Sequence, residues 1–255
     1  MSLKNNIGGI VKVMKKMYEQ RNYRKLFQNE LKMYNVTVEE TDLLVGTDEN
    51  IAKIVLKAVR KYRHDIYAAI EKNHEFFTSL IPIEAPDAQG IEKIMIDAAK
   101  LAGVGPFAAV AGAIDDMVAT ELKKYSSQVF LENGGDIYID ANKDRKIGIY
   151  AGDSPLSNRF AIEIPAEMFP LGICTSSATV GHSFSMGKAD AACIISKTAA
   201  VADAFATATC NRIKKEEDIE SALDWAKSHE EVLGAVAIMN DKIGAVGNIK
   251  LVKWN

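Results

Sequence analysis

The fold is indicated most clearly by residues 129–140, whose sequence is VFLENGGDIYID. Two short apolar runs flank a central Asn133-Gly134-Gly135-Asp136, and Asn-Gly and Gly-Gly pairs are favoured at the centre of two-residue β-hairpins. Paired glycines also let the backbone adopt positive φ and approach a ligand closely, and successive exposed N–H groups can hold a phosphate. The stretch therefore predicts a β-hairpin, and a phosphate-binding turn is an alternative for the same four residues.

Helical periodicity dominates the sequence before this hairpin. Apolar residues recur at helical spacing over 51–70 and again over 91–101, which predicts two helices. Pro106 favours the first turn of a third helix, which extends to Leu122 and contains the small-residue stretch Ala108–Ala113. So many small side chains indicate a close backbone approach, either to a buried neighbour or to a ligand.

Short strands and two more helices follow the hairpin. Residues 142–145 predict a hairpin turn between the strands on either side of them. Because helices and antiparallel-looking strands are partly segregated along the chain, the pattern predicts the α+β class. The further predictions are strands at 146–150, 160–164 and 191–196, helices at 198–212 and 216–228, and a closing hairpin over 232–246.

The overall composition is that of a globular protein. Of the 255 residues, 48% are hydrophobic and 25% are charged, with a formal net charge of −3, which excludes disordered and coiled-coil classes. Three cysteines without a CxxC pair predict a reducing, cytoplasmic setting. No apolar run approaches the ~20 residues of a membrane span, and a pI of about 5.9 gives no reason to expect nucleic acid as a partner. We expect one domain over 1–255, with a basic segment and strands in 1–50, mainly helices in 51–125, and a sheet with two helices in 126–255.

Polar residues concentrate in residues 174–190, CTSSATVGHSFSMGKAD. Hydroxyls and backbone N–H groups suit phosphate or ribose oxygens, and a lysine supplies positive charge. His182 is a candidate acid or base near neutral pH. A polar loop with local Ser/Thr turns is the alternative, but the density of polar side chains favours a ligand site. The candidate binding residues in this stretch are Thr175, Ser176, Ser177, Thr179, Gly181, Ser183 and Lys188.

Asp203 and Thr207 form a candidate metal site. They lie four residues apart in the predicted helix 198–212, so they share a helix face. A carboxylate and a hydroxyl are hard oxygen ligands that suit magnesium, whose remaining positions water and phosphate can fill. The alternative is structural, because the helix dipole favours a carboxylate near the N-terminus and a threonine can bond back to a carbonyl.

Taken in order, these motifs resemble those of the ApbE-like superfamily. Its best-known members are magnesium-dependent flavin transferases, which attach FMN from FAD to a protein threonine. The shared stretches are the small-residue helix after Gly103–Pro106, the turn Asn133–Asp136, Thr175–Ser177 with His182, and Ala202–Thr207. The chain resembles an uncharacterised branch of the superfamily more closely, through Glu40–Leu43, Glu132–Ile137, Thr179–Ser183 and Gly187–Ala191.

The resemblance implies an ApbE-like (T-fold-like) fold, in which an antiparallel sheet packs in layers with helices. It implies magnesium at Asp203 and Thr207, and FAD or FMN as a phosphate-bearing ligand. The flavin phosphates are expected beside His182 and the loop at Ser176-Ser177. It also implies flavin-transferase-type chemistry and a homo-oligomeric state, most simply a dimer.

The sequence also departs from the transferases. They carry a lysine in the glycine-rich segment before the first helix, where this chain has Pro106-Phe107-Ala108-Ala109. They also carry Asp-Pro-x-Thr-Gly after the histidine, where this chain has residues 183–187, SFSMG. An alternative function is therefore a non-flavin protein that binds a small anion through Lys188 and His182. The uncharacterised branch has been connected with anaerobic sulfide assimilation, for which Cys174 is the candidate thiol.

Overall fold

Two antiparallel sheets are present in the computed structural model, which describes residues 31–180 and 186–254. The strands are β1 (Lys32–Val38), β2 (Thr41–Thr47), β3 (Val129–Asn133), β4 (Asp136–Asp140), β5 (Arg145–Gly148), β6 (Phe160–Ile164), β7 (Leu171–Ser176), β8 (Ala191–Ser196), β9 (Gly234–Met239), β10 (Lys242–Gly247) and β11 (Lys250–Lys253). Eight strands form the main sheet in the order β1-β2-β3-β4-β7-β8-β9-β10, and the small sheet has the order β11-β6-β5. Most of the basic segment expected in residues 1–50 lies outside the described residues.

Five of the six α-helices of the described residues follow the predicted periodicity, and the one-turn helix Glu75–Thr78 was not predicted. The six helices are α1 (Ala52–Lys72), α2 (Glu75–Thr78), α3 (Gly90–Ala102), α4 (Val110–Leu122), α5 (Ala199–Arg212) and α6 (Asp218–Lys227). Helix α3 ends at Ala102, and the next residue, Gly103, has a φ of 71°, the left-handed conformation that terminates many helices. No single helix among the described residues is both long and apolar enough to cross a membrane. One pair that bends by 102°, Gly90–Ala102 with Pro106–Leu122, reaches the required length and composition.

The main sheet lies between the helices and the small sheet. Successive residues of a strand point to opposite faces, so Leu131 and Tyr138 pack in the core that contains the helices. Phe130, Ile137 and Ile139 pack in the second core, which contains apolar residues of the small sheet. This layered arrangement of helices and antiparallel sheet confirms the predicted α+β fold class.

Two predicted details are corrected by the strand pairing. Residues 142–145 do not close a hairpin, because β4 pairs with β3 and β7 while β5 pairs with β6 in the other sheet. Ile139 and Ile147 belong to the same apolar cluster, so the chain crosses between layers to bury both. The helix predicted from Pro106 begins as a 3-10 turn, Pro106–Ala109, before α4. The hairpins at Gly134-Gly135 and at Asn240-Asp241 are confirmed.

The antiparallel order brings the motifs to one end of the main sheet. Strands β1, β3, β7 and β9 run in the same direction because neighbouring strands of this sheet are antiparallel. The β1–β2, β3–β4 and β9–β10 turns, which follow three of these strands, therefore lie at the same end. Strand β7 ends there at Ser176, and β8 begins there at Ala191. The Asn133–Asp136 turn and the polar loop after Ser176 are therefore neighbours in space.

Candidate functional site

The β3–β4 turn is a two-residue hairpin that glycine makes accessible. Gly134 and Gly135 have φ values of 73° and 107°, which residues other than glycine rarely adopt. Glu132 Oε1 accepts a hydrogen bond of 2.9 Å from the Gly135 N–H. The Gly135 N–H therefore already donates to a carboxylate of β3. A phosphate at this turn would have to compete with Glu132 for it.

Beside this turn, a row of polar side chains faces the helices. Cys174 packs in the helix-side core, and Asp136 is directly opposite it across the β4–β7 ladder. Directly opposite residues share a face of the sheet, so Asp136 faces the helices, as does its β3 partner Asn133. Ser176 follows two residues after Cys174 and therefore points to the same face.

Helices α4 and α5 meet this row and cap each other reciprocally. Asp203 of α5 accepts a 3.0 Å hydrogen bond from the Gly112 N–H in the first turn of α4. Asp116 of α4 accepts hydrogen bonds of 2.9 Å from the Ala199 and Ala200 N–H groups at the start of α5. Each carboxylate thus satisfies N–H groups that lack partners within their own helix, at the positive end of the other helix dipole.

Small residues make this close crossing of backbones feasible. A Cβ on Gly112 would lie 2.2 Å from the Ala199 carbonyl oxygen, and one on Gly172 would lie 2.4 Å from the Ala199 Cα. Cys174 Sγ donates to the same Ala199 carbonyl at 3.3 Å. Gly112, in the small-residue stretch predicted to allow tight approach, therefore lets α4 contact the start of α5, and Gly172 does the same for β7.

The carboxylates that meet here, Asp115, Asp116, Asp136 and Asp203, are called the acidic layer below. Desolvation and the charge of Asp136 raise the pKa of Asp203 and of Asp115 well above the usual aspartate value. Desolvation also raises the pKa of Asp116 to about 6, although two backbone N–H groups oppose the shift. Within residues 31–180 and 186–254, no lysine or arginine forms an ion pair with Asp115, Asp116 or Asp203.

Asp203 and Thr207 have the chemistry that a magnesium ion requires. Both lie on one face of α5 and are partly exposed, so a ligand can reach them. No three histidine, cysteine, aspartate or glutamate side chains among the described residues converge closely enough to hold a metal ion on their own. Magnesium does not need such a cage, because it usually binds one or two carboxylates together with water and substrate phosphates. The acidic surroundings favour a cation at this position.

The polar loop is stabilised largely by its own side chains. Ser177 Oγ accepts hydrogen bonds from the N–H groups of Thr179 and Val180, at 3.0 and 2.9 Å. Thr179 Oγ1 donates to Asp190 Oδ1 at 3.0 Å, and the Lys188 N–H donates to the Ile213 carbonyl at 2.8 Å. These contacts match the local Ser/Thr turns considered as the alternative. The predicted site residues Gly181, His182 and Ser183 lie outside the described residues.

Thr175 and Ser176, which are neighbours in the predicted polar loop, point to opposite faces of the main sheet because both lie in β7. Thr175 is opposite Cys193, which belongs to the core on the small-sheet side, so Thr175 points away from Asp203. Ser176 points toward the acidic layer and is 5% exposed, and its hydroxyl has no hydrogen-bond partner among the described residues. The structure therefore brings Asn133, Asp136, Ser176 and Asp203 to one region and turns Thr175 to the other face.

Cys174 is a buried thiol rather than an accessible one. It is fully buried, and burial together with the charges of Asp136, Asp203 and Asp115 raises its pKa well above the usual cysteine value. Reactive thiols are generally exposed and have a lowered pKa. These properties do not favour the sulfur-carrying alternative.

Sequence reasoning missed Asp115 and Asp116. They stand together within the apolar stretch Ala113-Ile114-Asp115-Asp116-Met117-Val118, and acidic pairs are rarely buried in such a helix. That contrast with the surrounding residues is the signal that could have identified them. Their contacts with Asn133 and with the start of α5 required the three-dimensional structure.

Solved structures share this fold. The apo form of the flavinyl transferase ApbE from Pseudomonas stutzeri has a TM-score of 0.54 at 13% identity, covering 87% of this chain and 95% of that one. The ApbE protein of Thermotoga maritima has a TM-score of 0.52 at 14% identity, covering 84% of this chain and 96% of that one. At these identities the similarity establishes the class of fold, which is the ApbE fold.

The sequence comparisons identify the family. A profile described as "AbpE bacteria" matches residues 24–247, and the chain belongs to this family. It is 39% identical over 226 residues to UPF0280 protein MJ1526 of Methanocaldococcus jannaschii, covering 86% of this chain and 92% of that protein. It is 40% identical over 219 residues to a UPF0280 protein of Methanocella arvoryzae, covering 85% and 89%. The predicted membership of the ApbE-like superfamily is confirmed.

Proposed function

We propose that this protein binds a flavin nucleotide together with a magnesium ion held by Asp203 and Thr207. The observation that carries the proposal is the acidic layer, whose partly exposed Asp203 forms no ion pair with a basic side chain of the described residues. The shared fold with the flavinyl transferase ApbE of Pseudomonas stutzeri supports a flavin as the nucleotide. A divalent cation lets a negatively charged phosphate approach an acidic surface that would otherwise repel it.

The residues around the ion have separate roles in this proposal. Asp203 and Thr207 provide oxygen ligands, and the reciprocal caps at Gly112 and Ala199 hold the two helices that carry the site. The unpartnered hydroxyl of Ser176 donates a hydrogen bond to a phosphate oxygen. His182 remains the candidate acid or base predicted from the sequence. When bound, magnesium would neutralise the negative charge of the phosphates, which assists attack of a hydroxyl group on a pyrophosphate.

Fluorescence titration of FAD with the purified full chain tests the proposal, with and without magnesium. We expect saturable binding that requires magnesium and is weakened at least ~10-fold by Asp203→Asn, a difference of about 1.4 kcal/mol. Asn keeps an oxygen that can accept the Gly112 N–H, so the cap between the helices is retained. Asp97→Asn, which changes an exposed carboxylate paired with Lys93, is the matched control and should bind like wild type.

The absence of FAD binding with magnesium present would contradict the flavin proposal. Direct calorimetric titration with FMN, ADP and inorganic phosphate then separates the ligand classes, because small-anion binding without flavin predicts binding of phosphate alone. Release of AMP from FAD measures cleavage of the pyrophosphate, and FMN covalently attached to an acceptor hydroxyl distinguishes transfer from hydrolysis. The dimer remains a prediction, which the mass of the protein in solution tests.

A further inference from the structure

Helix α1 carries a row of basic side chains along its outer face, which is called the basic stripe below. The members are exposed and follow one another at intervals of three or four residues, so they lie on one face of the helix. Among the residues that the structure describes, none of them forms an ion pair. The basic stripe consists of Lys53, Lys57, Arg60 and His64.

Helix α6 carries a comparable row of opposite charge, which is called the acidic stripe below. Glu220 and Asp224 are exposed on one face of this helix, and Glu217, the residue before it, lies on the same face. Glu217 is 4.0 Å from Lys215, which is also exposed. Glu220 and Asp224 have no ion-pair partner in the described part of the chain.

The charges of the two stripes have the same spacing when one helix is read in reverse. In the basic stripe, the second and third charges follow Lys53 by four and seven residues. In the acidic stripe, they precede Asp224 by four and seven residues. Because a helix rises about 1.5 Å per residue, both rows place charges at about 0, 6 and 10.5 Å along the axis. An antiparallel pairing of the helices therefore aligns three basic with three acidic side chains.

The two stripes cannot meet within one chain. Helix α1 packs against β1, whereas α6 packs against β9 and β10. Strands β1 and β10 are the opposite edges of the main sheet, and seven strand spacings of about 4.8 Å separate them by roughly 30 Å. The complementary partner of each stripe therefore has to come from another molecule.

The directions of the two helices permit the antiparallel pairing between copies. Helix α1 runs toward the end of the main sheet that carries the candidate site, because Arg63 in its second half pairs with Glu39 of the β1–β2 turn. Helix α6 begins at this end, where Glu216 accepts a 2.8 Å hydrogen bond from Asn240 of the β9–β10 turn. Two copies with parallel strands therefore place α6 of one antiparallel to α1 of the other.

Exposed apolar side chains adjoin the matching ends of both stripes. Tyr67 is exposed two helical turns after Arg60. Met186 is exposed beside the start of α6, where its carbonyl accepts a hydrogen bond from Lys214 Nζ. Exposed ion pairs contribute little individually, so a stable contact needs apolar area as well as matched charge. Tyr67 and Met186 provide apolar area at the end where Arg60 meets the start of α6.

We infer that the basic stripe of one copy of this chain binds the acidic stripe of a second copy, with the two helices antiparallel. The aligned pairs are Lys53 with Asp224, Lys57 with Glu220, and Arg60 with Glu217. The contact joins two different surfaces, so it closes into a dimer when a twofold axis forms it twice, and otherwise extends to a ring or filament. None of these residues belongs to the proposed flavin site, so the inference goes beyond the proposed function.

Sedimentation equilibrium of the purified full chain, without flavin or magnesium, tests this inference. At low salt we expect a mass of at least two chains, and association at least ~10-fold weaker in 0.5 M NaCl, because salt screens exposed charges. Lys57→Glu/Arg60→Glu reverses the basic stripe and Glu217→Lys/Glu220→Lys reverses the acidic one, so each variant alone should be monomeric. An equimolar mixture of the two variants should recover the association, since every contact again joins opposite charges.

The matched control reverses two lysines of the small sheet, on the other face of the main sheet. Lys146→Glu/Lys250→Glu makes the same change in net charge as the basic-stripe variant and should associate like wild type. All the substituted side chains are exposed, so the fold should be retained, which circular dichroism checks.

The outcomes separate this inference from the proposed function. A monomeric wild type at low salt, stripe variants that associate like wild type, or a mixture that stays monomeric would each overturn the inference. Recovery in the mixture together with a failure of wild type to bind FAD would overturn the proposed function and leave this contact standing.

Discussion

Two groups of carboxylates at the same end of the main sheet are stabilised in opposite ways. In the first, called the Arg63 cluster, Glu39 and Glu40 form ion pairs with Arg63, whose guanidinium also donates to Thr41 at 2.9 Å and to Tyr67 at 2.8 Å. In the acidic layer, Asp115, Asp116 and Asp203 form no ion pair with a basic side chain of residues 31–180 and 186–254. Glu39 and Glu40 therefore share a basic partner, whereas Asp115, Asp116 and Asp203 have none among the described residues.

The two groups of carboxylates differ in exposure to water, and this difference determines how much a bound cation can stabilise each of them. Glu39 and Glu40 are 57% and 82% exposed at their side chains, so water solvates them whether or not Arg63 is present. The acidic layer is desolvated, and buried charge without a partner is unfavourable. We therefore expect a divalent cation from solution to stabilise the acidic layer and to have little effect on the Arg63 cluster.

The largest expected effect is on the stabilisation that magnesium provides. A ligand present at 100 times its Kd stabilises the folded state by about 2.7 kcal/mol, which corresponds to roughly 5–11 °C for a chain of this size. We expect magnesium to raise the Tm of wild type, and Asp203→Asn to lose most of that increase. Arg63→Met should retain it in full. Equal responses of the two variants in differential scanning fluorimetry would remove the distinction between the clusters.

The next effect is an opposite pH dependence of the two clusters when EDTA is present. The raised pKa of Asp203 means that its contribution to stability is present below pH 3.8 and is lost as pH rises through its folded-state pKa. The Tm of Asp203→Asn relative to wild type should therefore rise as the pH increases from about 4 through the raised pKa of Asp203. For Asp116 the corresponding window runs from 3.8 to about 6.

Glu39 provides the contrasting case in the same measurement. Hydrogen bonds from Tyr67 and Arg63 lower its pKa, so its contribution is present at neutral pH and is lost as pH falls through the lowered pKa. Glu39→Gln should therefore lower the Tm relative to wild type most strongly at neutral pH. For each variant, the Tm difference from wild type is plotted against pH. Slopes of the same sign for Asp203→Asn and Glu39→Gln would contradict the comparison.

A smaller effect is expected from Arg63 itself. Its side chain is 11% exposed, so Arg63→Met keeps much of the packing of the alkyl chain. Exposed ion pairs contribute about 0–1 kcal/mol, and we expect a loss of roughly 1 kcal/mol in urea unfolding. A loss as large as ~4 kcal/mol would show that the cluster is structurally more important than its exposure suggests.

The smallest effect concerns thiol reactivity. Cys174 lies against the acidic layer, whereas Cys193 lies on the opposite face with a pKa raised to about 11. All three cysteines are buried, so we expect no labelling by a thiol reagent in the folded protein and complete labelling after unfolding. Rapid labelling of Cys174 alone would support the sulfur-carrying alternative and contradict the acidic-layer description.

The sequence predicted the helices, most strands and the turn at Gly134-Gly135 because these depend on local periodicity and turn chemistry. The hairpin expected at residues 142–145 was wrong, since the choice between two sheets depends on which isoleucines share a core. Residues 174–190 were recognised as polar, but the alternation that turns Thr175 away from Ser176 depends on strand boundaries.

The candidate site was predicted less completely than the fold. Asp203 and Thr207 were predicted as candidate metal ligands because their spacing places them on one helix face, and the structure places both on α5. Asp115 and Asp116 were not, because their importance arises from contacts with Asn133 and Ala199, which are distant in sequence. Long-range contacts of this kind have no periodic signal in a single sequence.

The most direct test of the central claim is anomalous diffraction from crystals of the full chain grown with Mn²⁺ and FAD. The claim is that the acidic layer is completed by a bound divalent cation. It predicts a manganese peak at about 2.1–2.2 Å from oxygens of Asp203 and Thr207, the distance range of small hard cations. Electron density for FAD with no manganese peak between α4, α5 and β4 would contradict it.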